Sequence, residues 1–251
     1  MEYSFSCLIN CLYYIIMWKE VYVMKENKLF IGLLGVVFIV LVGCVFFSFN
    51  DKREVKKKDA VLIKEEYEAL NGNEGYISVS LDDDNPYLYR SYEDIIKMIE
   101  EKSGIILFAS AKSNSSRSVI SLISEIAHEL KFGNVAYLDI MEDRDEYTLD
   151  KINKPVESKE GTKDYKRLLD VLDKELVSYV LEGSDGKKVN VGEKRIYMPT
   201  LVAVYNGEIQ SVYSVSLNED EEIDKDSLKK LKDVYVAMFK SVTEDICDDA
   251  C

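Results

Sequence analysis

The residues of this chain with the means to do chemistry are few and unevenly placed: five cysteines, one histidine and a serine-rich stretch flanked by two cations. Cys7, Cys11 and Cys44 stand in an apolar leader and Cys247 and Cys251 at the far end, with no thiol between Cys44 and Cys247. A core in that interval must therefore hold by packing, without disulfides. His128, with no cysteine near it, leaves no basis for a transition-metal site, so neither metal nor cofactor is expected. The serines lie in Lys112-Ser113-Asn114-Ser115-Ser116-Arg117. A serine nucleophile needs a base, and His128 stands about 18 to 22 Å further along the same predicted helix. Lys112, adjacent to Ser113, lacks the spacing of a serine–lysine pair. Ser113 or Ser115 accordingly reads as a helix N-cap with solvated neighbours, and His128 as a surface or half-buried helix residue.

The terminal segment Cys247-Asp248-Asp249-Ala250-Cys251 admits three uses: a local disulfide, a zinc site shared with the aspartates, or a flexible redox dithiol. The spacing is not a recognised zinc pattern, and adjacent carboxylates raise thiol pKa values and so suppress the thiolate. A disulfide leads, with a redox pair as the alternative.

These groups need elements to position them. Leu29 to Phe49 carries no charge, and a run of about 21 such residues crosses a hydrocarbon layer of about 30 Å. A transmembrane segment is predicted over 29–49, behind a leader at 1–28 whose true start is Met24 in one reading. Leu41-Val42-Gly43-Cys44 resembles a lipoprotein lipobox, although Val45, Phe46, Phe47 and Phe49 continue the apolar run. A plain signal anchor and lipidation at Cys44 both stay open, and both tether the downstream domain. Basic residues flank the run on both sides, and the signal-like arrangement favours an extracytoplasmic domain. Residues 50–73 form a charged tether and a short helix, and one domain occupies 74–246, ahead of the cysteine-containing tail at 247–251.

Within that domain, residues 76–81 alternate as a half-buried strand. Ser91, with Asp94 three residues on, opens a helix. Ile105 to Ala109 and residues 134–140 read as strands covered on both faces, joined by the helix that starts at the serines. Residues 141–162 are polar. A helix over 165–176 comes next, and Ser184 to Lys187 turns a surface insertion. The strand at Tyr197 to Tyr205 meets Asn206-Gly207, a hairpin signal, and returns over 209–217. An acidic loop then leads to Ser227, the predicted cap of a closing helix. The net charge of -14, from 46 acidic and 32 basic residues, excludes nucleic acid as a partner of the whole chain. Seventeen Tyr and nine Phe exclude a disordered acidic polymer.

Two features carry a resemblance. Tyr197-Met198-Pro199-Thr200-Leu201 looks like the cis-proline strand of the thioredoxin-like superfamily, and Ser113-Asn114-Ser115-Ser116 stands where that family has Cys-x-x-Cys. With the leader, the chain looks closest to membrane-anchored thioredoxin-like and bacteriocin transport accessory proteins of Gram-positive bacteria. Lys112 departs from the expected tryptophan, and Ile105 to Phe108 lack the expected buried acid. The resemblance implies an α/β class: a central mixed sheet with a parallel βαβ half and an antiparallel C-terminal hairpin, flanked by helices and preceded by one transmembrane helix. It also implies a degenerate redox site at Ser113 and Ser116, and a groove formed by Lys112, Arg117, Met198, Pro199 and Thr200. The function expected is non-catalytic: a membrane-tethered domain binding or assisting a protein or peptide client of the cell envelope. A thiol-disulfide oxidoreductase using Cys247 and Cys251 is the alternative. Client and oligomeric state are not specified by the sequence.

Overall fold

The computed structural model describes residues 54–215 and 218–242. The expectations for the leader at 1–28, the segment at 29–49, Cys44 and the Cys247–Cys251 pair fall outside them.

Residues 54–68 form one helix, α1, instead of a tether leading into a short helix. Ala60, Ile63 and Tyr67 recur at three and four and are fully buried, so the charged sequence around them is the outer face of a docked helix. The half-buried strand expected at residues 76–81 does not form; these residues belong to no sheet. Side chains serve as their ladder: the Asn71 amide donates to the Val79 carbonyl and accepts from its N–H. Asn114 Oδ1 accepts from Ile77 N–H, and Glu68 accepts from Leu81 N–H. The edge strand comes later, at β1 (Tyr87–Tyr89).

The helix α2 (Tyr92–Glu101) starts at a capping box, in which Ser91 Oγ accepts from Asp94 N–H and the Asp94 carboxylate accepts from Ser91 N–H. Next in the chain are β2 (Gly104–Phe108), α3 (Asn114–Glu129) and β3 (Val135–Leu138). Two hairpins interrupt the core order. They are β4 (Glu146–Leu149) with β5 (Pro155–Lys159), and, after α4 (Lys163–Leu172), β6 (Val177–Glu182) with β7 (Lys188–Arg195). The chain then returns through β8 (Thr200–Tyr205), β9 (Glu208–Ser214) and α5 (Lys225–Lys240).

The main sheet has the order β1-β3-β2-β8-β9, with β3 parallel to both β1 and β2, and with β8 antiparallel to both β2 and β9. Strand alternation divides its apolar residues between two cores. Ile105, Leu107, Val135, Tyr137, Leu201 and Ala203 face α1, α3 and α5. Ile106, Phe108, Ala136, Leu138, Val202 and Val204 face α2 and α4. The β8–β9 turn needs its Asn-Gly pair: Asn206 and Gly207 both have positive φ, and a Cβ on Gly207 would collide with the Glu100 carbonyl.

The expected architecture is corrected in two respects. The domain holds three sheets, one of five strands and two of two, because 146–159 and 177–195 form hairpins of their own. Their side chains are mostly exposed, so the apolar pattern that marks a strand is weak there. In addition, among the described residues no helix is long and apolar enough to cross a membrane.

Candidate functional site

The serine stretch is buried. Ser113, in extended conformation, caps α3 by accepting from Ser116 N–H (3.1 Å), and its own hydroxyl donates to the Glu219 carbonyl (3.0 Å). That carbonyl also accepts from Ser115 N–H (3.2 Å). Ser115 Oγ lies between the carbonyls of Asn218 (2.9 Å) and Glu221 (2.8 Å), and Asn114 Nδ2 donates to Asp220 O (3.1 Å). Ser116 Oγ accepts from Ser110 N–H. The orphan N–H groups and hydroxyls at this helix start are thus used to hold a crossing segment, 218–221, rather than to activate a nucleophile.

The side chain of Glu219 turns inward from that segment. Arg144 grips its carboxylate with both terminal nitrogens (2.5 and 2.8 Å), and the Met198 N–H donates to it (2.7 Å). Met198 precedes Pro199 through a cis peptide bond, and both residues are buried. The Arg144 side chain is 5% exposed and that of Glu219 14%. A forked guanidinium–carboxylate contact in such a place is strong and geometrically selective. Burial alone would lower the Arg144 pKa, but the hydrogen bond and charge of Glu219 outweigh it and hold the guanidinium above its usual value. Among the described residues, Arg144 Nε has no hydrogen-bond partner, nor does the neighbouring Asp145 Oδ1. At the end of β3, burial pushes the Asp139 carboxyl up, against the Met141 N–H, Ser110, Arg144 and Lys112, which all favour its charged form.

The predicted groove residues divide. Met198, Pro199 and Thr200 line the covered corner, with Thr200 Oγ1 bonded to Tyr197 O and Ser214 Oγ (both 2.5 Å). Lys112 points outward to an exposed pair with Glu142 (2.7 Å). Arg117, 2% exposed, reaches into the α1 side of the core instead. There it donates to the carbonyls of Ile77, Tyr67 and Ala111 and to Asn71 Oδ1, beside the rings of Tyr67 and Tyr76. His128 is exposed, with Nε2 3.2 Å from the Asp84 carbonyl. Sequence reasoning missed Asp139, Arg144 and Glu219. The last two lie in runs of alternating and like charge that read as solvated loops, and no local signal pairs residues so far apart.

No known family model, curated protein or solved structure matches the chain. The expected membership of the thioredoxin-like superfamily and its bacteriocin transport accessory branch is corrected accordingly. Strand order and a proline-bearing strand are properties that unrelated α/β domains can share. The functional expectations built on it fall as well. The described residues contain no cysteine, so no pair stands near disulfide distance among them, and none of their helices can span a membrane. The membrane-tethered envelope domain with its client, its extracytoplasmic placement, and the disulfide or oxidoreductase at Cys247 and Cys251 are withdrawn. The start of α3 carries serine where a redox pair would need thiols.

Proposed function

We propose that this domain is a non-catalytic binding module whose recognition site takes a carboxylate and is occupied at rest by its own Glu219. The observation that carries this reading is the set of donors around that side chain: two nitrogens of a buried arginine and one main-chain N–H converge on a single carboxylate. The occupant comes from a turn whose neighbours Asn218 and Asp220 are exposed. Nothing in the fold requires a carboxylate here for helix capping, which Ser113 already supplies. Arg144 Nε adds a further donor that the resident side chain leaves unused. An incoming carboxylate would displace Glu219 and inherit its three hydrogen bonds at little cost in reorganisation of the donors.

Calorimetric titration of the full chain with acetate and succinate tests it. The Glu219→Ala variant should bind carboxylates saturably while the native chain binds them far more weakly, and the gain should vanish in Glu219→Ala/Arg144→Met. A Glu219→Ala chain that stays folded yet binds no carboxylate would reduce the Arg144–Glu219 contact to a structural latch.

A further inference from the structure

A second feature lies in the hairpins that the main sheet does not use. In the β4–β5 turn, Asp150 Oδ1 accepts from the N–H groups of Ile152 (2.9 Å) and Lys154 (2.8 Å), which fixes the turn. The β6–β7 turn is fixed in the same manner, with Asp185 accepting from Lys187 N–H (3.2 Å). The two tips meet where Asn153 Oδ1 accepts from the N–H and hydroxyl of Ser184. This joined tip presents Ile152 at 81% exposure, the most exposed large apolar side chain among the described residues. Lys151 and Lys154 flank it in sequence, and Lys187 and Lys188 follow the adjoining β6–β7 turn; all four are exposed, with Lys187 paired to Asp185 (3.0 Å). Lys151 and Lys154, unpaired among the described residues and beside an exposed apolar side chain, mark a surface for an acidic counterpart on a chain of net charge -14.

The chain carries that counterpart itself. A hollow of about 330 Å³ opens between the end of β9 and the start of α5, with apolar walls from Tyr213, Leu231 and Val234 and acids at Glu221 and Glu222; Lys230 also lines it. It is roomy enough for a branched aliphatic side chain, and its acids match the lysines of the tip. Ile152 is exposed in its own chain and is therefore available to the hollow of another copy. We infer that the hairpin tip of one copy docks into the hollow of a second copy, Ile152 entering the apolar part and Lys151 and Lys154 pairing with Glu221 and Glu222. The two surfaces differ, so the contact is head-to-tail and builds rings or chains rather than a closed two-fold dimer. It is small, and it forms and breaks reversibly.

Sedimentation velocity of the full chain across a concentration series tests this. The native chain should self-associate, less so as salt rises. Ile152→Ser should weaken association by about tenfold or more. Lys151→Glu/Lys154→Glu and Glu221→Lys/Glu222→Lys should each abolish it alone, since like charges then face each other. A one-to-one mixture of the two should restore it, which also shows that both variants are folded. A native chain that stays monomeric at every concentration overturns the inference, as does association indifferent to these changes or a mixture that fails to recover. A monomeric chain that instead captures an acidic protein would overturn it too, by assigning the tip to a different partner.

Discussion

Two of the three arginines buried among the described residues serve this domain in different ways. Arg117 spends its donors on neutral groups of the core, namely the carbonyls of Tyr67, Ile77 and Ala111 and the side chain of Asn71. It ties α1 and the ladderless segment 76–81 to the start of α3. Arg144 gives both terminal nitrogens to one carboxylate on a surface turn, keeps only one longer bond to a main-chain carbonyl, from Nη1 to Ile196 (3.4 Å), and leaves Nε unpaired. Main-chain carbonyls cannot be exchanged without unfolding the segments that carry them, whereas a carboxylate on a turn can be replaced by another. The first arginine is therefore part of the scaffold, and the second part of a site.

The largest effect should come from Arg117→Met, which strands several buried acceptors together and should cost about 3 to 5 kcal/mol in urea unfolding. A loss below about 1 kcal/mol would mean that water reaches those carbonyls, and the contrast between the arginines would fail. Next comes the double-mutant cycle of Arg144→Met and Glu219→Gln. Each single change should cost about 2 to 3 kcal/mol and the pair should couple by about 1 to 3 kcal/mol, because either partner left alone is a poorly solvated group. Additive losses would show that the contact seen in the structure carries no energy. Ser113→Ala, which removes both the α3 cap and a bond to the crossing segment, should cost about 1 to 2 kcal/mol.

The smallest effect is a pH dependence. Burial raises the folded-state pKa of Asp139, so its favourable contribution is complete below the ordinary carboxylate pKa and is lost as pH rises through the folded value. Asp139→Asn should flatten stability over that window and leave the domain more stable than the native chain at neutral pH, as thermal unfolding at a series of pH values would show. An unchanged profile would place Asp139 in contact with solvent.

Local rules made some of this legible. The Ser91–Asp94 box, the doubly covered strand at Ile105 to Phe108 and the Asn206-Gly207 turn are each specified within a few residues, and each is present. Where partners came from a distance, the sequence misled. Residues 76–81 form no strand although their sequence alternates: their hydrogen bonds go to Asn71, Asn114 and Glu68, so a periodicity of two did not specify a sheet. The cap of α5 is Asp224, which accepts from the N–H groups of Asp226 and Ser227 and from the Ser227 hydroxyl, so the predicted cap is instead capped. The site was the least legible part. Its serines were found as an N-cap, but Arg144 and Glu219 look like ordinary loop charges until the fold brings them together.

The displacement of Glu219 by a free carboxylate is best followed at the Met198 amide, one of the three donors involved. In a nitrogen-15-labelled Glu219→Ala chain, adding acetate should move the Met198 N–H resonance saturably back towards its native position, and the movement should be absent when Arg144→Met is added. A Met198 resonance that ignores acetate, or that responds equally without Arg144, would contradict a carboxylate site at this corner.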